Sequence, residues 1–527
     1  METKKFVNWK LLSVLSLFCF SLISCETLEE EPFTEVGSEF FYQNEEDAVI
    51  AVNAVYAQLK SGNGYYRQQF LSNLHGASDL GPSSWRHGDF RRGVIQSADP
   101  MLERSWVDIY VCIKDANNVI KNVPEIPEMD EDLRNRVVGE ARFIRALSYF
   151  NLVRCFGEVP LRTEPVKPGE DGLPVSSIQD IYEVIIDDLT YASEHCWGFN
   201  ESRNGFSNNI GRVTKAAAHA MLTKVYLRIA SSMRTAQEGI QGNVLYGDFP
   251  NSPDFYYQKA VEQADLVLQQ PFYQLVSNID EYVNLFDATN GNNSEFIFEI
   301  QGSSIAGQGT AISNLFSPRN SGLAGGGWGG VNRLMPLFIN NSIDKTDERF
   351  VNTIVHSFED ERRSYVLGPN LTGYQRTELD TGQPVGTLFR VFTAKYVDTE
   401  ATTEYTSQQN WHVIRLADVH LMRAEALAEL NQDPSLANQD INILRNRVGM
   451  DDVNYAGLSM PDFRDLLLRE RAAELYMEGH RFFDLTRLGV YDEYCRTTWG
   501  NTNGQRGPED YTWPIPLIER SSNPNID

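Results

Sequence analysis

Apolar residues recur at intervals of three and four along much of the chain, the spacing of one buried helix face. Val49, Val52, Val55 and Leu59 predict a helix over 45–60. Leu133, Val137, Ala141, Ile144 and Leu147 predict another that ends near Phe156-Gly157, and Ile178, Ile181, Ile185, Leu189 and Ala192 a third. Residues 215–230 and 254–268 extend the series. Late in the chain Ile414, Ala417, Leu421, Ala424 and Ala428 mark a helix, followed by 440–448 and 462–479. Small residues at recurring positions let such helices pack closely in pairs, as in a tetratricopeptide-like array. No strict repeat of ~34 residues runs through the sequence, so the pattern predicts an irregular solenoid.

The periodicity lapses between about 280 and 410, and over shorter stretches near 61–100 and 490–515. Gly, Ser and Asn cluster in 302–330, and short strand-like runs occur at 296–300 and 388–393. Long irregular stretches of this kind usually carry function. The expectation is one domain over 45–527. Its helical scaffold spans about 45–275 and 411–490 and displays a loop-rich face.

The N-terminus follows a different pattern. Lys4, Lys5 and Lys10 precede the apolar run 11–23, whose 13 residues fall short of the roughly 20 that a spanning helix needs. A basic head, a short apolar body and a small-residue end are the marks of a secretory signal. Leu22-Ile23-Ser24-Cys25 resembles a bacterial lipobox, which implies removal of 1–24 and lipidation of Cys25. Several acyl chains anchor stably where one is marginal. Glu26 and Glu29–Glu31 make residues 25–44 an acidic tether.

Charge narrows the choice of partner. Lys and Arg number 46 against 72 Asp and Glu, a formal net charge of −26 over 527 residues. Residues 1–24 hold three lysines and one glutamate, so the remainder carries −28. Such a surface excludes a general nucleic-acid binder, which needs clustered cations to neutralise phosphates. A mean hydropathy of −0.36 excludes a polytopic membrane protein. Cys112, Cys155, Cys196 and Cys495 are scattered and form no C-x-x-C pair, which disfavours a zinc site and leaves one or two disulfides open.

Sequence motifs for catalysis are weak. Gly325, Gly327 and Gly330 satisfy G-x-G-x-x-G, but within a Ser/Asn/Gly-rich loop rather than a strand–helix turn, so no dinucleotide or other cofactor is expected. Glu470, Glu474 and Glu478 share a helix face beside His480. Arg471, Arg481 and Arg487 lie close enough to pair them, so an ion-paired junction is preferred to a metal or acid–base site. No local pattern selects the carboxylate pair of a glycosidase.

Loop aromatics are the better candidates. Sugar rings stack their C–H faces on Trp and Tyr while their hydroxyls seek polar side chains. Trp85 and Arg86 lie in a polar loop after Tyr65-Tyr66. Trp328 lies in the glycine cluster with Asn332 and Arg333 behind it, and Trp499 precedes Asn501 and Asn503. These residues are the expected ligand contacts, whereas Trp513 is expected in the core.

Several ordered segments resemble one family. They are 139–160 (GEARFIRALSYFNLVRCFGEVP), 211–227 (GRVTKAAAHAMLTKVYL), 414–427 (IRLADVHLMRAEAL), 474–487 (ELYMEGHRFFDLTR) and the Trp513-Pro-Ile-Pro516 end. With the lipobox, these segments resemble the SusD/RagB family of outer-membrane nutrient-binding lipoproteins along essentially the whole chain. Asp418 and His420 stand where Glu and Tyr are more usual. The resemblance implies a mostly α, SusD-like fold in which tetratricopeptide-like helix pairs form a right-handed superhelical scaffold. A loop-rich ligand-binding region and a few short strands complete it. It also implies a non-enzymatic, lipid-anchored surface protein that captures oligosaccharides, or in some members peptides, for a SusC-like TonB-dependent outer-membrane transporter. Acidic residues after the lipidated cysteine are associated with surface export in such bacteria. A glycoside hydrolase and a pure protein–protein scaffold are the competing classes.

Overall fold

The structure is a computed structural model that describes residues 41–83, 88–167, 169, 170, 172–199, 201, 210–323 and 329–526. Met1–Gln43 and Asn44–Asp527 form two separate units. The apolar run 11–23 and Cys25 lie outside the described residues, and the helical scaffold and its loops all belong to the second unit. Among the described residues no helix is long and apolar enough to cross a membrane.

Helix dominates, and the helices start where capping chemistry permits. Asn44 opens Glu45–Gln58 by accepting from the Asp47 amide at 3.1 Å. Asp130 opens Glu131–Phe156 and Thr214 opens Lys215–Gln237 in the same way. Asp99-Pro100 and Ser252-Pro253 add a proline at the first helical position, where its missing N–H leaves nothing unpaired. Gly157, at φ +72°, ends Glu131–Phe156 as the sequence predicts.

Each long helix packs on the next. Pro100–Asn122 lies against Glu131–Phe156, that against Ile178–His195, then Lys215–Gln237, then Pro253–Leu268. The series then skips about 150 residues, because Pro253–Leu268 packs directly on Leu416–Asn431. The intervening stretch is therefore an insertion into a continuous helical array. Leu416–Asn431 shares a core with Asn438–Asn446 and Met460–Leu475, built from Ala417, Leu421, Ile441, Leu444, Phe463 and Leu467, all fully buried.

The insertion is more ordered than its sequence suggests. Ser357–Glu359, Arg363–Leu367, Tyr374–Glu378 and Pro384–Leu388 form a four-stranded antiparallel sheet joined in sequence order. Phe296–Ile300 is a strand as predicted, and it pairs antiparallel with Trp411–Arg415. Ile414 therefore belongs to a fully buried strand, and the late helix begins at Leu416. The second predicted strand, 388–393, does not form: the strand Pro384–Leu388 ends where it is expected to begin, and beyond it the described residues make single bridges, Leu334 with Val391 and Ile354 with Thr393. Met460–Leu475 stops short of 479, because Met477 and Gly479 take positive φ in a tight turn. The stretches near 61–100 and 490–515 contain the helices Gln69–Ala77, Gly88–Arg92 and Tyr491–Gly504, the last kinked at Gly500.

Candidate ligand-binding site

Three loop segments meet at one place. Residues 78–83 leave the helix Gln69–Ala77 and are fixed to the scaffold by Asp79, which takes a two-pronged contact from Arg481 at 2.8 Å on each oxygen. Beside them run residues 329–335. The Met335 amide donates to the Leu80 carbonyl at 3.0 Å, and the Ser83 hydroxyl donates to Asn332 Oδ1 at 2.9 Å. Residues 329–335 are in turn joined to 389–392, where Leu334 and Val391 exchange amide–carbonyl bonds of 2.9 and 3.0 Å. The helix Tyr491–Gly504 closes the group. Its Trp499 indole N–H donates to the Ser78 carbonyl at 3.4 Å, and the Arg91 guanidinium lies over the indole at 5.5 Å.

Buried Leu334 and Val391 form the bridge, so alternation puts Arg333 and Arg390, both half-buried, on the opposite side of the paired backbones, together with buried Phe392. Arg333 donates to the Gly330 carbonyl at 2.8 Å, and Arg390 makes no side-chain hydrogen bond among the described residues. Neither they nor Arg91 has a carboxylate partner among those residues. Partial burial, with Arg390 and Arg91 nearby, pulls the Arg333 guanidinium down to about 10, which leaves it charged at neutral pH. Phe389, beside Arg390, is 68% exposed, a large aromatic face open to solvent.

The comparisons with known proteins fit this architecture. Residues 28–227 match the family described as starch-binding associating with outer membrane, and residues 294–527 match the SusD family. The chain belongs to the SusD family. SusD-like protein P25 of Formosa agariphila is 27% identical over 96% of this chain and 95% of that protein. Starch-binding protein SusD of Bacteroides thetaiotaomicron is 25% identical over 75% of this chain and 72% of its own length. A solved laminarin binding SusD-like protein superposes with a TM-score of 0.67 at 27% identity, covering 92% of this chain and 99% of that one.

Within this SusD-family chain the expected contact residues fall into three groups. Trp85, Arg86 and Trp328 lie outside the described residues. Arg333 and Trp499 lie at that joint and are half-buried. The other three need correction. Tyr65 and Tyr66 are buried to 0% and 4% exposure, with ring centroids 4.3 Å apart. Both hydroxyls accept from Asn151 Nδ2, at 2.7 and 2.8 Å, and burial pushes the Tyr66 hydroxyl up to about 12. They are core residues, because the turn before Gln69–Ala77 folds inward onto Glu131–Phe156. Asn332 is likewise fully buried and ties two loops together.

Sequence reading missed Arg91, Arg390 and Phe389. Phe389-Arg390 falls in the predicted strand 388–393, yet nothing local distinguishes it. Its significance comes from the bridge to Leu334, nearly sixty residues earlier.

The acidic run is structural, though with partners other than those expected. Arg471 pairs with Asp484 and Asp418, Arg481 with Asp79, and Arg487 with Glu425 and Asp484. Glu474 is instead held by Arg415 and Arg447, each at 2.6 Å, and by Arg349 at 3.1 Å. Glu478 lies beyond the helix end and takes Arg415 at 2.8 Å and Lys395 at 2.7 Å. Among the described residues no group of three or more His, Cys, Asp or Glu is placed to hold a metal ion.

Proposed function

We propose that this chain is a non-enzymatic glycan-binding protein of the outer membrane, lipid-anchored through Cys25. In this reading it captures oligosaccharides at the cell surface for a SusC-like TonB-dependent transporter. The observation that carries the reading is the joint at which Trp499, Arg333 and exposed Phe389 come together beside Ser83 and Asn332. Aromatic faces beside hydrogen-bond donors are the chemistry that sugar rings require. The laminarin and starch named for two relatives support a glycan as the ligand class.

Binding without hydrolysis is the reading favoured by the acids near the joint, which are already committed. Asp89 pairs with Arg92, Asp79 with Arg481 and Asp492 with Arg496. A glycosidase needs two carboxylates free to act on one bond.

Calorimetric titration of the soluble form starting after Cys25, against a panel of oligosaccharides of varied composition, tests the proposal. Trp85→Ala, Trp328→Ala and Trp499→Ala each weaken the best ligand by about tenfold, the equivalent of ~1.4 kcal/mol per stacked ring. Unchanged affinity in all three variants would falsify the site, and release of shorter sugars by the purified protein would overturn the non-enzymatic reading.

A further inference from the structure

Most arginines of this chain have a clear assignment. Those buried in the scaffold face carboxylates, as Arg349, Arg415, Arg447, Arg471 and Arg481 do. Among the described residues Arg154, Arg228 and Arg506 have no carboxylate ion pair but are satisfied in other ways, Arg506 by the carbonyls of Asn503, Gln505 and Arg91. Arg154 donates to the Phe150 carbonyl and Asn151 and lies between the rings of Phe150 and Phe483. Arg228 donates to Tyr246, Thr486 and the Phe483 carbonyl.

The group at the loop joint differs. Among the described residues Arg91, Arg333 and Arg390 share a single side-chain hydrogen bond between them, from Arg333 to Gly330. They are brought together by fixed geometry: the Leu334–Val391 bridge sets Arg333 and Arg390 on one side of the backbone pair, and Trp499 supports Arg91. Their mutual repulsion adds to burial in lowering Arg333. In a chain with 72 acids and 46 basic residues, three neighbouring cations without a carboxylate run against the prevailing composition.

We infer that the glycan bound here is acidic, and that Arg333 and Arg390, with Arg91 behind them, receive a carboxylate or sulfate group carried by a sugar ring. This inference rests on the glycan-binding reading above and narrows its ligand class. A guanidinium fork matches the two oxygens of either anion, and a charge-assisted pair is roughly twice as strong as a neutral hydrogen bond. The local cluster also resolves an apparent conflict with the overall charge. At physiological salt, exposed charges beyond about 8 Å are screened, so a polyanion at the joint meets the arginines rather than the net −26.

The test titrates the soluble chain with three oligosaccharide sets of matched length: polygalacturonate for carboxylates, a sulfated galactan for sulfates, and laminarin as a neutral glucan. The expected result is binding of at least one acidic set about tenfold tighter than laminarin, weakened severalfold as sodium chloride rises from about 50 to 500 mM. Arg390→Gln and Arg333→Gln each reduce acidic binding by about tenfold, whereas Lys121→Gln, the same charge change at an exposed helix end, does not. The two acidic sets distinguish carboxylate from sulfate. Laminarin binding as tightly as both acidic sets overturns the inference and leaves the glycan reading standing. So does acidic binding indifferent to both substitutions while melting temperatures stay unchanged. Failure of every set to bind overturns both.

Discussion

Glu474→Gln isolates the contribution of the buried charge network. Arg349, Arg415, Arg447 and Lys395 face Glu295, Glu470, Glu474, Glu478 and Asp347, all nearly inaccessible, and Arg445 reaches Glu470 from the rim. Five cations thus oppose five anions. Glutamine keeps the shape of Glu474 but leaves the five cations sharing four carboxylates, so one positive charge of the network goes uncompensated. Breaking a buried pair in this way costs about 3–5 kcal/mol. The unfolding entropy is about 2.1 cal/mol/K per residue, or about 1 kcal/mol/K for the ~480 residues of the folded unit, so the midpoint falls by roughly 3–5 °C. Differential scanning calorimetry at pH 7 reads this directly. Glu262→Gln, which removes the exposed charge contact with Lys259 and keeps an acceptor for Gln258, serves as the control and shifts the midpoint by less than about 1 °C.

The acid dependence supplies a second reading of the same network. Burial alone raises Glu474, but Arg447, Arg415 and Arg349 outweigh it and hold the carboxyl well below the ordinary carboxylate range. Glu478 follows the same logic: burial raises it, and Arg415 and Lys395 bring it down to about 2. A depressed folded value contributes stability above the unfolded value, near 4.3, and that stability disappears as pH falls through the folded value. The parent chain therefore loses stability steeply below about pH 4.3, and Glu474→Gln loses less over the same window. A variant midpoint within about 1 °C of the parent at pH 7, with a parallel acid slope, would refute the argument.

Two further outcomes follow from the packing. A Cβ at Gly81 would overlap the Arg333 carbonyl oxygen, so Gly81→Ala separates the loop joint and weakens glycan binding in titration. Its midpoint drops by an amount matching about 1–3 kcal/mol of overpacking, while Gly247→Ala, with open space around it, changes neither. Cys112, Cys155, Cys196 and Cys495 are free and buried, and burial pushes the Cys112 thiol up to about 12. The folded soluble form is therefore inert to a thiol reagent and titrates four thiols once denatured; a mass deficit showing a disulfide would contradict this assignment.

The helical scaffold was legible because its information is local. A stripe such as Ile178, Ile181, Ile185 and Leu189, capped by Ser177, specifies one helix without reference to the rest of the chain. The strand 296–300 was legible as a short apolar run, but its partner was not: Trp411–Arg415 is apolar enough to merge into the following helical stripe, and only pairing across more than a hundred residues separates them. The sheet over 357–388 was missed because its exposed faces carry Arg, Gln, Thr and Glu, so little apolar alternation survives. Tyr65 and Tyr66 misled for a related reason. Aromatics in a polar stretch look like platforms, yet Asn151, the residue that satisfies both hydroxyls, lies on a distant helix.

The placement of cations links the scaffold to the site. The insertion contributes Arg349 and Lys395, which reach into the scaffold and end on Glu470, Glu474 and Glu478; the scaffold contributes Arg481, which reaches out to Asp79 at the base of the loop joint. Each contact is short, desolvated and directional, so a shift of the insertion along the scaffold would strand several charges at once. Apolar packing alone tolerates such sliding far better, because dispersion and burial are nearly indifferent to direction. The loops are therefore positioned by matched charges at their roots, while at their outer edge Arg333 and Arg390 remain without an anionic partner among the described residues. An anion arriving there completes outside the core the same kind of pairing that positions the loops within it, and it meets donors whose backbone is already fixed. Preorganisation of this kind lowers the entropic loss on binding, so a half-buried site at the edge of the loops can discriminate among ligands by charge.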